Sequence, residues 1–381
     1  MKSEIPFPHH NYQTDPLSEN FEIVSSDNAL PIDEPQSTDV TDAAEKLRAA
    51  NVSEVILVHG TFAGNDVLGI MREIARFLPR VADSMRSLGK GVIDQLVGDL
   101  GNYTEDFADR FAQLIHRESD KEIPVSCFNW SGENHHLGRA DGAIELLDQI
   151  TTREYAEEAR VLIWAHSHGA NVLSMLGHLV TCSDASREAF FTATKSHYRD
   201  PISGRLDLPI WEQVRDRMSE ADWRSKLPHL DIVTFGAPLR YRWQTDLFTN
   251  LLHFVQHRTQ GDTELGRAKV PDSLDDVMCA AGGDYVQQLG IGGTDFLHSI
   301  IAWRSWNSER RLQKMFEPTV RRRDLAKNLR RGCRVPLDGS ALLVDYAEHP
   351  EKWNQKLLGH GVYTRYEWLP FHLNEIIRRF Y

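Results

Sequence analysis

Short apolar runs alternate along the chain with segments whose apolar residues recur at helical spacing. Phe107, Phe111 and Leu114 keep that spacing in one helical segment, and Ala143, Leu147 and Ile150 keep it in another. The apolar runs predict six strands: Glu54–Val58, Ile123–Asn129, Val161–Ala165, Leu230–Phe235, Leu251–Gln256 and Ala341–Tyr346. Runs of this kind separated by helices are typical of an α/β fold, a mostly parallel sheet with helices on both faces. Such sheets carry their functional sites at the carboxyl ends of the strands.

The third strand ends in the motif Ala165-His166-Ser167-His168-Gly169. Apolar residues at helical spacing follow it, so the chain is predicted to turn sharply from a strand into a helix at Ser167. A serine with one small residue two positions before it and another two positions after it is typical of a nucleophile elbow. In that turn the serine hydroxyl projects from the end of the sheet. The usual motif has glycine two positions before the serine. Here that residue is Ala165, and alanine is the next smallest residue. This motif predicts a nucleophilic serine.

The first strong strand ends in His59-Gly60-Thr61-Phe62. Acyl transfer develops negative charge on a carbonyl oxygen and needs two donors aimed at it, usually main-chain N–H groups. A His-Gly dipeptide at a strand end lets this loop turn close to Ser167. We expect the N–H groups of Thr61 and His168 to form the oxyanion hole, with Phe62 as the next candidate after Thr61.

Three motifs together resemble the lipase and esterase branches of the α/β-hydrolase superfamily. They are Val58-His59-Gly60-Thr61, the Ser167 motif and Val233-Thr234-Phe235-Gly236-Ala237-Pro238. The resemblance covers roughly residues 52–381 and is specific at these motifs. It implies a serine nucleophile followed in the chain by an acid and then a histidine. The acid would follow the second strand beyond the nucleophile, and the histidine would follow the last strand.

Asp262 lies where that acid is expected, because the strand Leu251–Gln256 leads directly into its segment. A buried carboxylate there would hold the histidine in the required tautomer. A Gly-Asp pair is also ordinary turn chemistry, which leaves the assignment open. Asp295 and Asp246 are the alternatives.

Among the 17 histidines, His360 is the predicted base. It follows the last strand in a Gly359-His360-Gly361 segment, where glycines allow a closely approaching loop. Tyr363 provides the aromatic residue that the resemblance associates with this loop. The other candidates are less favourable: His372 keeps helical spacing, His349 precedes a proline, and His298 lies on an amphipathic stretch.

The histidines and cysteines do not predict a metal centre. His166 and His168 flank Ser167, and His59, His135 and His136 lie at or near strand ends, but no zinc-binding spacing is present. The four cysteines form no C-x-x-C pair, which indicates reduced thiols. We therefore expect neither a metal nor another cofactor. Trp130 and the polar residues around it follow the second strand without an assigned role.

Composition sets wider limits on the protein. The 381 residues are enough for a large core, and the net charge of −12 argues against binding nucleic acid. No apolar run is long enough to span a bilayer and no secretory signal is visible, so the expected location is cytoplasmic. We expect residues 1–50 to form an irregular arm. We expect residues 51–381 to form one domain of the α/β-hydrolase type that the resemblance implies. The oligomeric state is left open.

Helical insertions are expected near residues 72–116, 183–227 and 263–339, as lids or as helices packed on the core. The last insertion is rich in basic residues, which would either form a solvated face or attract anionic lipid head groups. These residues are Arg304, Arg310, Arg311, Lys314, Arg321, Arg322, Arg323, Lys327, Arg330, Arg331 and Arg334.

The sequence therefore predicts a serine hydrolase that cleaves carboxylic esters, with Ser167, Asp262 and His360 as its catalytic residues. Small-molecule or lipid acyl esters are the expected substrates, with transient contact to a membrane surface. The alternatives are a thioesterase or acyltransferase on the same fold, and a non-catalytic scaffold used for binding.

Overall fold

The computed structural model describes residues 18–26, 37–60, 103–116, 122–238, 241–259, 266–268, 271–273, 275–276, 279–290, 303–316, 334–346 and 359–381. Elements are numbered in chain order within these ranges. The strands are β1 Phe21–Ser25, β2 Val52–Val58, β3 Val125–Phe128, β4 Arg160–His166, β5 His229–Phe235, β6 Phe248–Gln256 and β7 Ser340–Asp345. The helices are α1 Ser37–Ala49, α2 Glu105–Ile115, α3 His136–Thr152, α4 Gly169–Thr181, α5 Asp184–Tyr198, α6 Pro209–Arg217, α7 Tyr285–Gly290, α8 Trp303–Phe316 and α9 Leu369–Phe380.

All seven strands form one parallel sheet in the order β1-β7-β6-β5-β4-β2-β3. The register sets Ile163 of β4 between Ile56 of β2 and Ile232 of β5. Each of the six predicted strands is present within a few residues of its expected bounds. The α/β fold with a parallel sheet is therefore confirmed.

Helices cover both faces of the sheet, because buried residues alternate along the central strands. On β4, Val161 and Ile163 pack into one core with α3, α4, α5, α6 and α8. Leu162 and Trp164 face the other way and pack with α1, α2 and α9. Strands that are buried on both faces read as continuous apolar runs, which is why the sequence predicts them well.

The interpretation of residues 1–50 as an irregular arm was wrong for two described segments. Phe21–Ser25 forms β1 and pairs in parallel with β7, and Ser37–Ala49 forms α1. β1 lies at the sheet edge, so it is held by main-chain pairing and lacks a buried apolar run. Ala43, Ala44 and Leu47 are the residues of α1 that pack into the core among those whose side chains the structure describes. Neither element produces a strong periodic signal.

The insertion at 183–227 packs on the core instead of covering it as a separate lid. It forms α5 and α6 and buries a cluster of aromatic residues against the sheet helices: Phe190, Phe191, Tyr198, Trp211 and Trp223. α2, at the end of the 72–116 segment, likewise packs on the sheet. The first part of that segment, residues 72–102, lies outside the described residues.

Two members of the basic insertion have structural roles and are not solvated. Arg304 donates from Nε to the carbonyl oxygen of Ser196 at 2.8 Å and pairs with Asp207 at 2.7 Å. Arg334 is fully buried. Residues 317–333, which include Arg321 to Arg331, lie outside the described part of the chain. No helix of the described residues is both long and apolar enough to cross a bilayer.

Candidate functional site

Ser167 occupies a strained turn between β4 and α4. Its φ is +53°, a left-handed conformation that residues with a Cβ rarely adopt. Its main-chain N–H donates to the carbonyl oxygen of Phe235 at 2.8 Å, which fixes the turn to the end of β5. His168 follows as the residue that begins α4, so its main-chain nitrogen lies at the positive end of that helix. Backbone strain of this kind is often found at functional sites.

The loop after β2 approaches Ser167 closely because residue 60 is glycine. A Cβ placed on Gly60 would lie 2.7 Å from the Cβ of Ser167, which is closer than real side chains approach. His59 holds this loop in place. Its Nδ1 donates to the carbonyl oxygen of Gly60 at 2.7 Å, and its Nε2 accepts from the main-chain N–H of Trp130 at 3.2 Å. Burial lowers the pKa of His59, which keeps the ring neutral and able to make both bonds.

Trp130 locks the same loop from β3. Its indole Nε1 donates to the carbonyl oxygen of His59 at 2.8 Å, and its ring stacks on the imidazole with centroids 5.7 Å apart. The residue for which the sequence indicated no role is therefore the support of the loop beside Ser167.

His360 forms a buried pair with Asp284. Its Nδ1 lies 2.8 Å from Oδ2 of Asp284, and both side chains are almost fully buried. A carboxylate only accepts, so Nδ1 carries the hydrogen and Nε2 keeps its lone pair. Nε2 of His360 is buried and is bonded to no other described residue. The ring therefore presents an unused acceptor.

Two further hydrogen bonds fix the carboxylate of Asp284, and a third fixes one of its donors. Tyr363 donates its hydroxyl hydrogen to Oδ2 at 2.8 Å, while Oδ1 accepts from the main-chain N–H of Gln287 at 2.8 Å. The hydroxyl of Tyr363 in turn accepts from the N–H of Gln256 at 2.7 Å. Burial raises the pKa of Tyr363 well above its usual value, so the hydroxyl keeps the hydrogen that it donates.

Arg334 holds the turn that carries Asp284. It donates to the carbonyl oxygen of Asp284, to that of Gly282 at 2.8 Å and to Oε1 of Gln287 at 3.2 Å. Burial lowers the pKa of Arg334. The interpretation of this arginine as part of a lipid-facing or solvated basic face was wrong, because main-chain oxygens surround it in the interior.

Gly236 connects the two halves of the site. It follows Phe235, the residue that accepts from the N–H of Ser167. A Cβ on Gly236 would lie 2.6 Å from Oδ2 of Asp284 and 2.9 Å from Cε1 of His360. The ring of His166, next to Ser167, also lies 4.5 Å from the ring of His360. The turn that carries Ser167 and the His360–Asp284 pair therefore lie at the same end of the sheet, at the carboxyl ends of β4, β5 and β6.

The remaining predicted residues fall into two groups. Thr61, Phe62, Asp262, Asp295, His298 and His349 lie outside the described residues. Asp246 precedes β6 and is therefore at the opposite end of the sheet from Ser167. His372 packs in the core, where its Nε2 accepts from the hydroxyl of Tyr346 at 2.7 Å and burial lowers its pKa to about 3.

Asp284 is the residue that sequence reasoning missed. It stands in a Gly283-Asp284 pair after β6, the same pattern and the same strand that indicated Asp262. Its main-chain N–H donates to the carbonyl oxygen of Gln256 at 3.0 Å, so the chain returns to the end of β6 before reaching Asp284. Because the chain returns to the end of β6, the Gly283-Asp284 pair lies beside His360.

The other histidines around Ser167 serve packing and hydrogen bonding. Nε2 of His166 donates to the carbonyl oxygen of His360 at 3.3 Å. His168 contacts Asn171 at 3.0 Å through Nδ1. Nδ1 of His136 lies 2.6 Å from the hydroxyl of Tyr241. Within the described residues, no group of three or more histidines, cysteines or acids is arranged to hold a metal ion.

A separate cavity of about 470 Å³ lies between α5, α6 and the turn at Trp223. Two of its three arginines have anionic partners, and the third, Arg224, donates to the carbonyl oxygen of Val180 at 3.1 Å. Arg187 pairs with Asp184 at 2.8 Å, and Arg215 pairs with Glu188 at 2.7 Å. No chemistry is assigned to it.

Comparison with protein-family models, with curated proteins and with solved structures gave no match for this chain. The chemistry of the site therefore has to be inferred from its own geometry.

Proposed function

We propose that this protein is a serine hydrolase of the α/β-hydrolase type that cleaves carboxylic esters through an acyl-enzyme. Ser167 is the nucleophile, His360 the general base and acid, and Asp284 the residue that orients His360. Asp284 takes the role that the sequence suggested for Asp262.

The observation that carries the proposal is the buried His360–Asp284 pair at the turn that holds Ser167. Because Asp284 binds Nδ1, Nε2 of His360 is left with a lone pair and no other described partner. Activation of a serine hydroxyl requires such an acceptor nitrogen, and this one lies at the same end of the sheet as the strained turn of Ser167.

The strand order supports the α/β-hydrolase assignment. Counting from β4, the acid follows the second strand and the histidine follows the last one. That is the order that the resemblance implies, and it holds for Asp284 as it would for Asp262. The close approach of Gly60 to Ser167 is also what a donor loop for an oxyanion requires.

The reaction would proceed in two steps. Oγ of Ser167 attacks the ester carbonyl carbon while Nε2 of His360 takes its proton, and the leaving alcohol departs with that proton. Water then attacks the acyl group, gives its proton to Nε2, and releases the acid as Oγ recovers the proton. The N–H groups of Thr61 and His168 would bind the oxyanion in both steps. The scheme needs no metal and no cofactor.

Lipid acyl esters are the favoured substrate class. The lipase-like Val233–Pro238 segment and the large helical insertions support this choice. A panel of esters, thioesters and phospholipids with different acyl lengths would separate lipases from thioesterases and short-chain esterases.

Ser167→Ala should abolish ester hydrolysis, because it removes the attacking oxygen. A fluorophosphonate probe, which labels activated serines, should label the wild type and not this variant. His360→Ala should lose labelling as well, whereas His372→Ala should keep it if it folds. Equal labelling of wild type and a folded Ser167→Ala protein would refute the assignment, and absence of labelling in a folded wild type would favour a binding scaffold.

A further inference from the structure

α8 carries an exposed stripe that its packing does not explain. Ser308, Glu309, Leu312 and Phe316 are buried, and they hold one side of the helix against the core. The opposite side presents Trp303, Arg310 and Lys314 at helical spacing, with Arg311 beside them. Trp303 is 49% exposed, which is unusual for a side chain of its size.

A second exposed apolar residue lies at the same corner of the molecule. Ile202, at the tip of the turn after α5, is 90% exposed. Its N–H donates to Oδ1 of Asp200 at 2.8 Å, and Oδ2 of Asp200 lies 3.8 Å from Nη1 of Arg304. Arg304 is the chain neighbour of Trp303. Ile202 and Trp303 therefore lie on two elements that are joined through Arg304.

This corner lies at the same end of the sheet as Ser167. α4 starts next to Ser167 and runs away from it, and α5 returns, so the turn after α5 is at the carboxyl end of the sheet. α8 also contacts this end, because Glu309 accepts from the N–H groups of His136 and Leu137 where α3 begins. A flat surface that touches the corner would face the end of the sheet that holds the candidate site.

The charge of the stripe is opposite to that of the whole protein. Arg310, Arg311 and Lys314 make no ion pair within the described residues, although the chain as a whole has a net charge of −12. Arg310 lies over the ring of Trp306, 4.6 Å from its centroid. Exposed aromatic and aliphatic side chains near cations are features of surfaces that contact anionic membranes.

We propose that Ile202, Trp303, Arg310, Arg311 and Lys314 form a contact surface for anionic membranes. Ile202 and Trp303 enter the region between head groups and acyl chains, and the three cations bind anionic head groups. A soluble polyanion would use the cations alone and leave both apolar side chains in water. The two exposed apolar residues are why the observations favour a lipid surface.

The test measures sedimentation of the full chain with vesicles. The vesicles contain phosphatidylcholine alone or phosphatidylcholine and phosphatidylserine in equal parts. All proteins carry Ser167→Ala, so that lipid hydrolysis does not affect the readout and the result stands whether or not Ser167 is the nucleophile. One variant carries I202S and W303S, a second carries R310Q, R311Q and K314Q, and the matched control carries I23S. Ile23 is 48% exposed on β1, outside this corner.

The parent protein should bind the anionic vesicles and bind phosphatidylcholine much more weakly. The triple cation variant should bind the anionic vesicles on the order of a hundredfold more weakly, from about 1 kcal/mol for each basic residue near a charged surface. The apolar double variant should also bind less, and I23S should bind as the parent does. Thermal unfolding of each variant shows that it is folded.

Salt gives an independent readout. Attraction through the cations should weaken as the Debye length falls from about 10 Å at 0.1 M to about 3 Å at 1 M salt. Undiminished binding by the triple variant, or an equal loss with I23S, would overturn the proposal. It would also be overturned if the parent bound soluble heparin and no vesicle, because the surface would then recognise a polyanion.

Discussion

At the scale of single residues, the best-defined feature is the carboxylate of Asp284. It accepts from His360, Tyr363 and Gln287, so that both oxygens are held by donors whose positions are fixed by burial. Hydrogen bonds to a buried charged group are stronger than neutral ones. Three donors to one buried carboxylate indicate that the orientation of Asp284 towards His360 is important.

Asp284→Asn should lower kcat for ester hydrolysis by a factor on the order of 10³ to 10⁴, because an amide favours the wrong tautomer of His360. Asp262→Asn and Asp246→Asn are the matched controls and should have little effect. Measured kcat values for the three folded variants decide which of the three aspartates orients His360. A severe loss with Asp262→Asn and a mild one with Asp284→Asn would return the role to Asp262.

Tyr363→Phe should reduce kcat by about ten- to a hundredfold, which corresponds to about 1.5–3 kcal/mol for a hydrogen bond to a charged group. With one donor fewer, the carboxylate attracts the imidazolium more strongly. The acidic limb of the pH profile of kcat/KM should therefore move to higher pH. Tyr346→Phe is the control, because that hydroxyl bonds to His372 and not to Asp284. If the two variants have the same pH profile, the role of Tyr363 is only structural.

At the scale of elements, α8 is fastened to α3 by one buried carboxylate. Glu309 accepts from the N–H of His136 at 3.2 Å through Oε1 and from that of Leu137 at 2.7 Å through Oε2. The first N–H groups of a helix have no partner within the helix, and its dipole favours a negative charge there. α8 therefore supplies the acceptor for the first N–H groups of α3. This contact fixes the orientation of α8 and of its exposed stripe.

Glu309→Gln should lower the free energy of unfolding by about 1–3 kcal/mol, because one of the two helix N–H groups loses a charged acceptor in the interior. Denaturant unfolding measures the change. Glu188→Gln is the matched control. Its pairing with Arg215 is at the surface and should contribute only about 0–1 kcal/mol. Equal losses in both variants would mean that Glu309 does not anchor α8.

At the scale of the whole molecule, buried histidines make stability depend on pH. Burial lowers the pKa of His372 to about 3 and that of His253 to about 4. In the unfolded chain both titrate near the ordinary value of about 6.5. Between these values the unfolded state binds more protons than the folded state, so acid favours unfolding.

The free energy of unfolding should therefore fall as the pH is lowered from about 6.5 towards 4, with each of these two histidines contributing about 1.4 kcal/mol per pH unit. Above pH 7 their contribution should be constant. His372→Gln should reduce the slope, whereas His229→Gln, at an exposed residue of β5, should leave it unchanged. Denaturant unfolding at several pH values gives the slope, and an equal slope in wild type and His372→Gln would contradict this account.

The sequence by itself determined the central sheet and indicated two residues of the candidate site, each of which lies in a strong local motif. Strands buried on both faces must be apolar throughout, so β2 and β4 to β7 can be recognised from the composition of short windows of sequence. Ser167 and His360 were also identified locally, one by its small neighbours and one by the glycines around it. β1 was not recognised, because none of its side chains is fully buried, and α1 was not recognised, because its segment lacks a sustained apolar period.

Only the tertiary structure decided which acid meets His360. Asp262 and Asp284 both follow β6 in a Gly-Asp pair, and nothing in the local sequence distinguishes a turn from a carboxylate aimed at the site. The choice depends on the return of the chain to Gln256, on the hydroxyl of Tyr363 and on the buried guanidinium of Arg334. These groups are distant in sequence, and their contacts exist only after the sheet has brought the ends of β6 and β7 together. For the same reason, the sequence shows Arg334 only as one of many basic residues. In the fold it is buried and holds the turn that carries Asp284.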